Sequence, residues 1–135
     1  MKNQDATQAL VDAWNTGDLD RVLARYTTNG SRFQAAWEEA THSGDSLREH
    51  IGAILTAMPM PRLEPRSVID GGDTTVLEWT FVGDVVADFG PIPGNGQHLE
   101  LKGVSVIQFD ADGLVKHENA YWDGATMMAG AGMLG

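Results

Sequence analysis

The segment Lys116-His117-Glu118-Asn119-Ala120-Tyr121-Trp122-Asp123 gathers the groups of this chain best suited to moving a proton. If it is a strand, alternation puts His117, Asn119, Tyr121 and Asp123 on one face and Lys116, Glu118, Ala120 and Trp122 on the other. The first face presents an imidazole, an amide, a phenol and a carboxylate in one row, and is expected to line a pocket. Ala120 and Trp122 keep open the alternative, in which that face is solvated and the other is core. A carboxyl group in an apolar pocket has a raised pKa and serves as general acid or base near neutral pH. Asp123 is therefore the expected catalytic residue, the other reading being a strand-end cap or turn former. Aldol closure, a double-bond shift, dehydration or epoxide opening without a cofactor all need such a group.

Other chemistries find less support. The histidines are His42, His50, His98 and His117, with no i, i+4 pair and no HxH, so no metal site is expected. His50 falls in an apolar helical stripe and reads as a core histidine, whereas His42 precedes a helix and can reach a pocket mouth. There is no G-x-S-x-G elbow. Gly94-Asn95-Gly96 is a turn without the rest of a phosphate loop. Cysteine is absent, which removes disulfides, thiolate nucleophiles and thiolate metal sites. Trp14, Phe33, Trp37, Trp79, Phe81, Tyr121 and Trp122 read singly as core, but several lining one cavity together would suit a flat polycyclic or terpenoid-like ligand. Nineteen acids against nine bases give a net charge of −10, which argues against nucleic acid and against a polybasic membrane contact. A neutral, hydrophobic small molecule is the easier partner.

The elements that must position these residues follow from periodicity. At 135 residues the chain fits one domain, 1–135. A helix is predicted over Asp5 to Trp14 with Asp5 as cap, broken by Asn15-Thr16-Gly17-Asp18. A second runs over Leu19 to Tyr26 with Asp18 as cap, and a third from Ser43 to Met58, stopped by Pro59 and Pro61. A short strand is possible over Ser31 to Trp37. The period then changes to two, with strands at Arg66 to Ile69, Thr74 to Val82, His98 to Phe109 and Leu114 to Trp122. Asp70-Gly71-Gly72-Asp73 is a hairpin signal, Phe89 to Gln97 a loop, and the Met-rich tail (Met127, Met128, Met133) a docked terminus or a pocket lid. Helices followed by an antiparallel meander give an α+β fold, a curved sheet closing on N-terminal helices around one pocket. No run approaches the roughly 18 apolar residues of a membrane span. The amphipathic N-terminal segment lacks the apolar stretch of a signal peptide, so the cytoplasm is the expected location.

Ala13-Trp14-Asn15-Thr16-Gly17-Asp18-Leu19-Asp20 resembles the AWN-x-GD-L-D opening of SnoaL-like polyketide cyclases, within the nuclear transport factor 2-like superfamily. His42-Ser43-Gly44 with Leu47 to Ile51 is similar to the lead-in to that family's third helix. Glu78-Trp79-Thr80 with Gly83 resembles its RWT-x-x-G strand, Glu78 replacing the common Arg. Pro91 to Gly96 resembles its G-x-P-P-T-G loop, and Gly103 to Phe109 with Asp112-Gly113-Leu114-Val115 its G-x-D-I-F-R-F-x-D-G-K-I phrase. The resemblance spans nearly the whole chain. It implies a cone-shaped α+β barrel and a cofactor-free polyketide cyclase that closes a ring by intramolecular aldol condensation. It also implies a carboxylate near the end of the last strand, where Asp123 matches, and a homodimer paired through the sheets, a contact that Trp122, on the outer face by alternation, would suit. Ser105 stands where an acid is common. Isomerases, epoxide hydrolases, dehydratases and binding modules share the fold, so a non-catalytic small-molecule binder is the alternative. The epoxide-hydrolase version uses an Asp-Arg-Asp set, for which no in-frame Arg is evident.

Overall fold

The computed structural model describes residues 1–35 and 39–133. Its elements run α1 (Asn3–Asn15), α2 (Leu19–Leu23), β1 (Tyr26–Gln34), β2 (Ala40–Ser43), α3 (Asp45–Ala57), β3 (Arg62–Asp70), β4 (Thr75–Val85), β5 (Gln97–Phe109), β6 (Val115–Trp122) and α4 (Gly124–Gly130). This is the expected α+β order, with four helices and one curved, unclosed six-stranded sheet in the order β2-β1-β6-β5-β4-β3. No helix among the described residues is long and apolar enough to cross a membrane.

The Trp14 to Asp18 phrase forms a corner in which every residue has a task. Trp14 turns inward, and Asn15 fixes the end of α1 to β3. Its Nδ2 donates to the Leu63 carbonyl at 3.0 Å, and its Oδ1 accepts from the Leu63 amide at 2.6 Å. Gly17 has φ +68°, and a Cβ there would lie 2.6 Å from the Pro59 carbonyl oxygen, so both backbone and space require glycine. Asp18 accepts from the Asp20 and Arg21 amides and caps α2 as expected. Two boundaries differ from expectation. Asp5 lies in the first turn of α1, whose N-cap is Lys2. Tyr26, expected to end α2, instead opens β1 with its side chain buried.

Leu10, Val11 and Trp14 of α1 and Leu47, Ile51, Ile54 and Leu55 of α3 pack against the concave face of the sheet. Each helix is amphipathic, so burying its stripe against the sheet is what holds it there. Pro65 is tolerated because β3 is an edge strand. β1 joins β6 in parallel and the other four pairs are antiparallel, so residues from near the two ends of the chain become neighbours.

Two irregularities set the inner surface. In β6, Val115 pairs with Phe109 and His117 with Gln108, leaving Lys116 as an extra residue. Such a bulge inverts the side-chain phase of everything that follows. At the centre of the sheet, Trp79, Gly103 and Trp122 occupy one cross-strand row. A Cβ on Gly103 would overlap the Trp79 six-membered ring and lie 2.6 Å from the Tyr121 carbonyl oxygen. The missing side chain thus makes room for the Trp79 ring, whose centroid is 6.5 Å from that of Trp122. Gly103→Ala is expected to cost about 1–3 kcal/mol, the usual penalty of overpacking. Urea unfolding would measure it, with a shift in tryptophan emission as Trp79 moves; unchanged stability and emission would contradict this packing.

Candidate active site

Between the helices and the sheet lies a cavity of about 50 Å³, enough for about three or four water molecules. Trp14, Leu77, Trp79, Phe81, Leu101 and Trp122 line it, together with Met58 and Met127. Of the tail methionines, Met127 is buried against the cavity, whereas Met133 is exposed. Unbranched methionines repack readily, which lets a site of this size widen around a ligand.

Arg32, Ser105 and Glu118 are the polar members of the lining. Glu118 is 3% exposed and Arg32 5%. They are register partners across the parallel β1–β6 junction, with Arg32 Nε 3.9 Å from Glu118 Oε1. Tyr26 donates its hydroxyl to the same Oε1 at 2.5 Å. Burial, reinforced by the Glu118 carboxylate, pushes the Tyr26 phenol well above its ordinary pKa, so it acts as a neutral donor. The Arg32 guanidinium lies 5.5 Å from the Trp14 ring centroid and 5.9 Å from that of Trp122, within cation–π range of both. Trp79 donates from Nε1 to Ser105 Oγ at 3.0 Å, which orients the hydroxyl. A buried carboxylate, a guanidinium and a phenol thus meet at the edge of an apolar cavity, an arrangement able to accept a proton and to stabilise an oxyanion.

Of the residues expected from sequence to line the pocket, Trp14 and Trp79 do so. The face assigned on the last strand is corrected: the Lys116 bulge turns Glu118, Ala120 and Trp122 inward and His117, Asn119 and Tyr121 outward. His117 accepts from Ser31 Oγ at 2.6 Å and donates to Asn119 Oδ1 at 2.7 Å. Tyr121 packs edge-on against Phe33 on this outer face, their centroids 6.2 Å apart. Trp122, expected outside as a dimer contact, is a cavity wall. Asp123 is exposed and caps α4, accepting from the Thr126 amide at 3.2 Å and hydroxyl at 2.6 Å. The Thr126 hydroxyl, then its amide, holds this carboxyl below its ordinary range, the opposite of the raised value expected. His42 stacks on His50 at 4.3 Å beside a second chamber. Trp37 lies outside the described residues.

Arg32, Glu118 and Tyr26 were missed. Their signal is the pairing of two strands far apart in sequence, which periodicity does not reveal. The cavity arginine also amends the expectation that no in-frame Arg would reach the site. No cluster of three or more His, Asp or Glu that could hold a metal occurs among the described residues.

With this geometry in view, comparison with known proteins gives a consistent result. The cyclase aurE of Calcarisporium arbuscula is 25% identical over 126 residues, covering 91% of this chain and 88% of that protein. The crystal structure of AclR from Streptomyces galilaeus superposes with a TM-score of 0.83 at 20% identity, covering 98% of this chain and 86% of that one. A Catenulispora acidiphila protein with a ketosteroid isomerase-like fold, crystallised with trimethylamine, superposes with a TM-score of 0.78 at 12% identity, covering 95% and 92%. The SnoaL-like domain family matches residues 7–118, from α1 to Glu118 itself. This chain belongs to the SnoaL-like domain family.

Proposed function

We propose that the protein is an acid/base enzyme acting on a hydrophobic carbonyl compound, a cyclase or isomerase whose base is Glu118. The observation that carries this reading is a carboxylate 3% exposed at an apolar, tryptophan-lined cavity, facing a guanidinium. In the forward step the Glu118 carboxylate removes a proton from the carbon next to the substrate carbonyl. Arg32 stabilises the enolate oxygen that develops, and Tyr26 holds Glu118 by its Oε1. In a ring closure the enolate carbon attacks a second carbonyl, and Glu118 returns the same proton to the new alkoxide. In an isomerisation it returns the proton to a different carbon. The proton balance closes within substrate and protein, so neither route needs a cofactor. The apolar wall keeps water away from the enolate and strengthens the electrostatic contacts. That the relative aurE is a cyclase favours ring closure over isomerisation.

A test that does not require the natural substrate is hydrogen–deuterium exchange of 2-tetralone, an enolisable apolar ketone, followed by NMR in D₂O. The protein is expected to accelerate exchange next to the carbonyl well above the buffer rate. An exchange rate equal to that of buffer, at saturating protein, would overturn the reading.

A further inference from the structure

Ser105 comes from β5, is 2% exposed and borders the cavity of the cone. Among the described residues its hydroxyl makes one hydrogen bond, the one it shares with Trp79 Nε1 at 3.0 Å. An indole N–H can only donate, so chemistry fixes the direction of this bond and Ser105 Oγ is the acceptor. A hydroxyl also carries a hydrogen of its own to donate. That hydrogen has no acceptor among the described residues, although it sits in a wall made mostly of apolar side chains. Buried polar groups in native proteins are paired as a rule, and an exception calls for a reason. Arg32 Nε is a second buried donor without a hydrogen-bond partner among the described residues, and Arg32 borders the same cavity. The cavity has donors to spare, so the ligand that completes it brings an acceptor.

The sheet sets Ser105 beside Glu118. Glu118 pairs with Ile107 across β5 and β6, so Ser105, two residues back along β5, is its diagonal neighbour on the inner face. Diagonal neighbours stand roughly 7–8 Å apart, close enough for one small group to touch both side chains. A carbonyl and the carbon next to it make such a group. The oxygen accepts a hydrogen bond while the adjacent carbon carries the proton to be removed. Trp79 keeps the serine in the donor role, because its N–H occupies a lone pair that would otherwise accept from the ligand. Gly103 in turn leaves the space that the Trp79 ring fills.

We propose that Ser105 donates the directed hydrogen bond to the carbonyl oxygen of the substrate, with Trp79 as the residue that positions it. This rests on the reading of the cone as the site of an acid/base enzyme, and adds the group that aims the carbonyl while Glu118 takes the proton. Arg32 supplies charge to the developing enolate; Ser105 supplies direction. The hydrogen bond strengthens as negative charge collects on the oxygen, so its effect on turnover exceeds its effect on binding.

The test reads the carbonyl stretch of bound 2-tetralone by infrared difference spectroscopy, because a hydrogen bond to the oxygen weakens the C=O bond and lowers its frequency. Tetralin, the same ring system without the oxygen, reports whether the cavity is intact. Ser105→Ala is expected to move the stretch to higher frequency and to weaken 2-tetralone about tenfold, while tetralin binds as before. Its exchange rate at saturating ketone falls further, by about 10²-fold. Ser105→Ala leaves the Trp79 N–H unpaired and lowers stability, so the double variant Ser105→Ala, Trp79→Phe, which removes both partners, is measured beside it. It should show the same high-frequency band. An identical stretch in the native and Ser105→Ala proteins would overturn the proposal, as would no measurable binding of 2-tetralone. So would equal weakening of 2-tetralone and tetralin, since Ser105 would then be a packing residue. Glu118→Gln keeps the low-frequency band and loses exchange, so failure of Glu118 as the base registers in exchange alone.

Discussion

Replacing Glu118 with Gln lowers the rate of proton exchange or ring closure by about 10²- to 10⁴-fold, the usual contribution of a positioned general base. The amide keeps the size of the side chain and still accepts the Tyr26 hydroxyl through its oxygen, but it cannot take a proton. The substitution has a structural cost as well, because Arg32 is 5% exposed and loses its counter-charge. Removing one partner of a buried pair costs about 3–5 kcal/mol. Activity is therefore measured below the melting temperature found by circular dichroism, so that lost turnover is not lost fold. Asp123→Asn is the matched control. Asn caps helices as well as Asp, so α4 keeps its start, and the rate stays at the native level. The reverse result, an inactive Asp123→Asn beside an active Glu118→Gln, would return the chemistry to the strand end and sink the assignment to Glu118.

These two carboxylates also show where legibility in the sequence stops. Helical stripes set by Leu10, Trp14, Leu47, Ile51 and Ile54 were readable because each helix must bury one face whatever it packs on. The corner around Gly17 was readable because backbone sterics allow few residues there. β6 was readable as a strand but not in phase. Strict alternation from the buried Val115 selects His117, Asn119, Tyr121 and Asp123; one unpaired Lys116 shifts the inward set to Glu118, Ala120 and Trp122. Nothing in the local composition marks that bulge, since a Lys and a Glu in a strand ordinarily indicate a solvated face. Arg32 and Tyr26 were hidden for a different reason. Their meaning depends on a parallel pairing across more than eighty residues, and a buried Arg looks like any other until its partner is placed. The fold was legible because it rests on many weak, repeated signals. The site was not, because it rests on one residue of register.

The protein is expected to lose stability on acidification between about pH 6.5 and pH 3 in a way that His50→Phe suppresses. His50 has its folded pKa lowered to about 3, chiefly by burial and then by the Arg32 and His42 charges. In the unfolded chain it titrates near 6.5. Between these values the unfolded state binds the proton and the folded state does not, so falling pH favours unfolding. The contribution of neutral His50 is complete above the unfolded value and lost as pH falls to the folded one, at roughly 1.4 kcal/mol per pH unit. Other groups titrate in the same window, including the nineteen acids, so the informative quantity is a difference. Urea unfolding of native and His50→Phe proteins at a series of pH values isolates it. Phe keeps an aromatic ring on His42, which stacks 4.3 Å away, but binds no proton. The native protein should lose stability relative to the variant as pH falls from 6.5 and level off near 3. A difference that stays constant across that range would mean that His50 accepts its proton in the folded state, and that its chamber is open enough to solvate the charge.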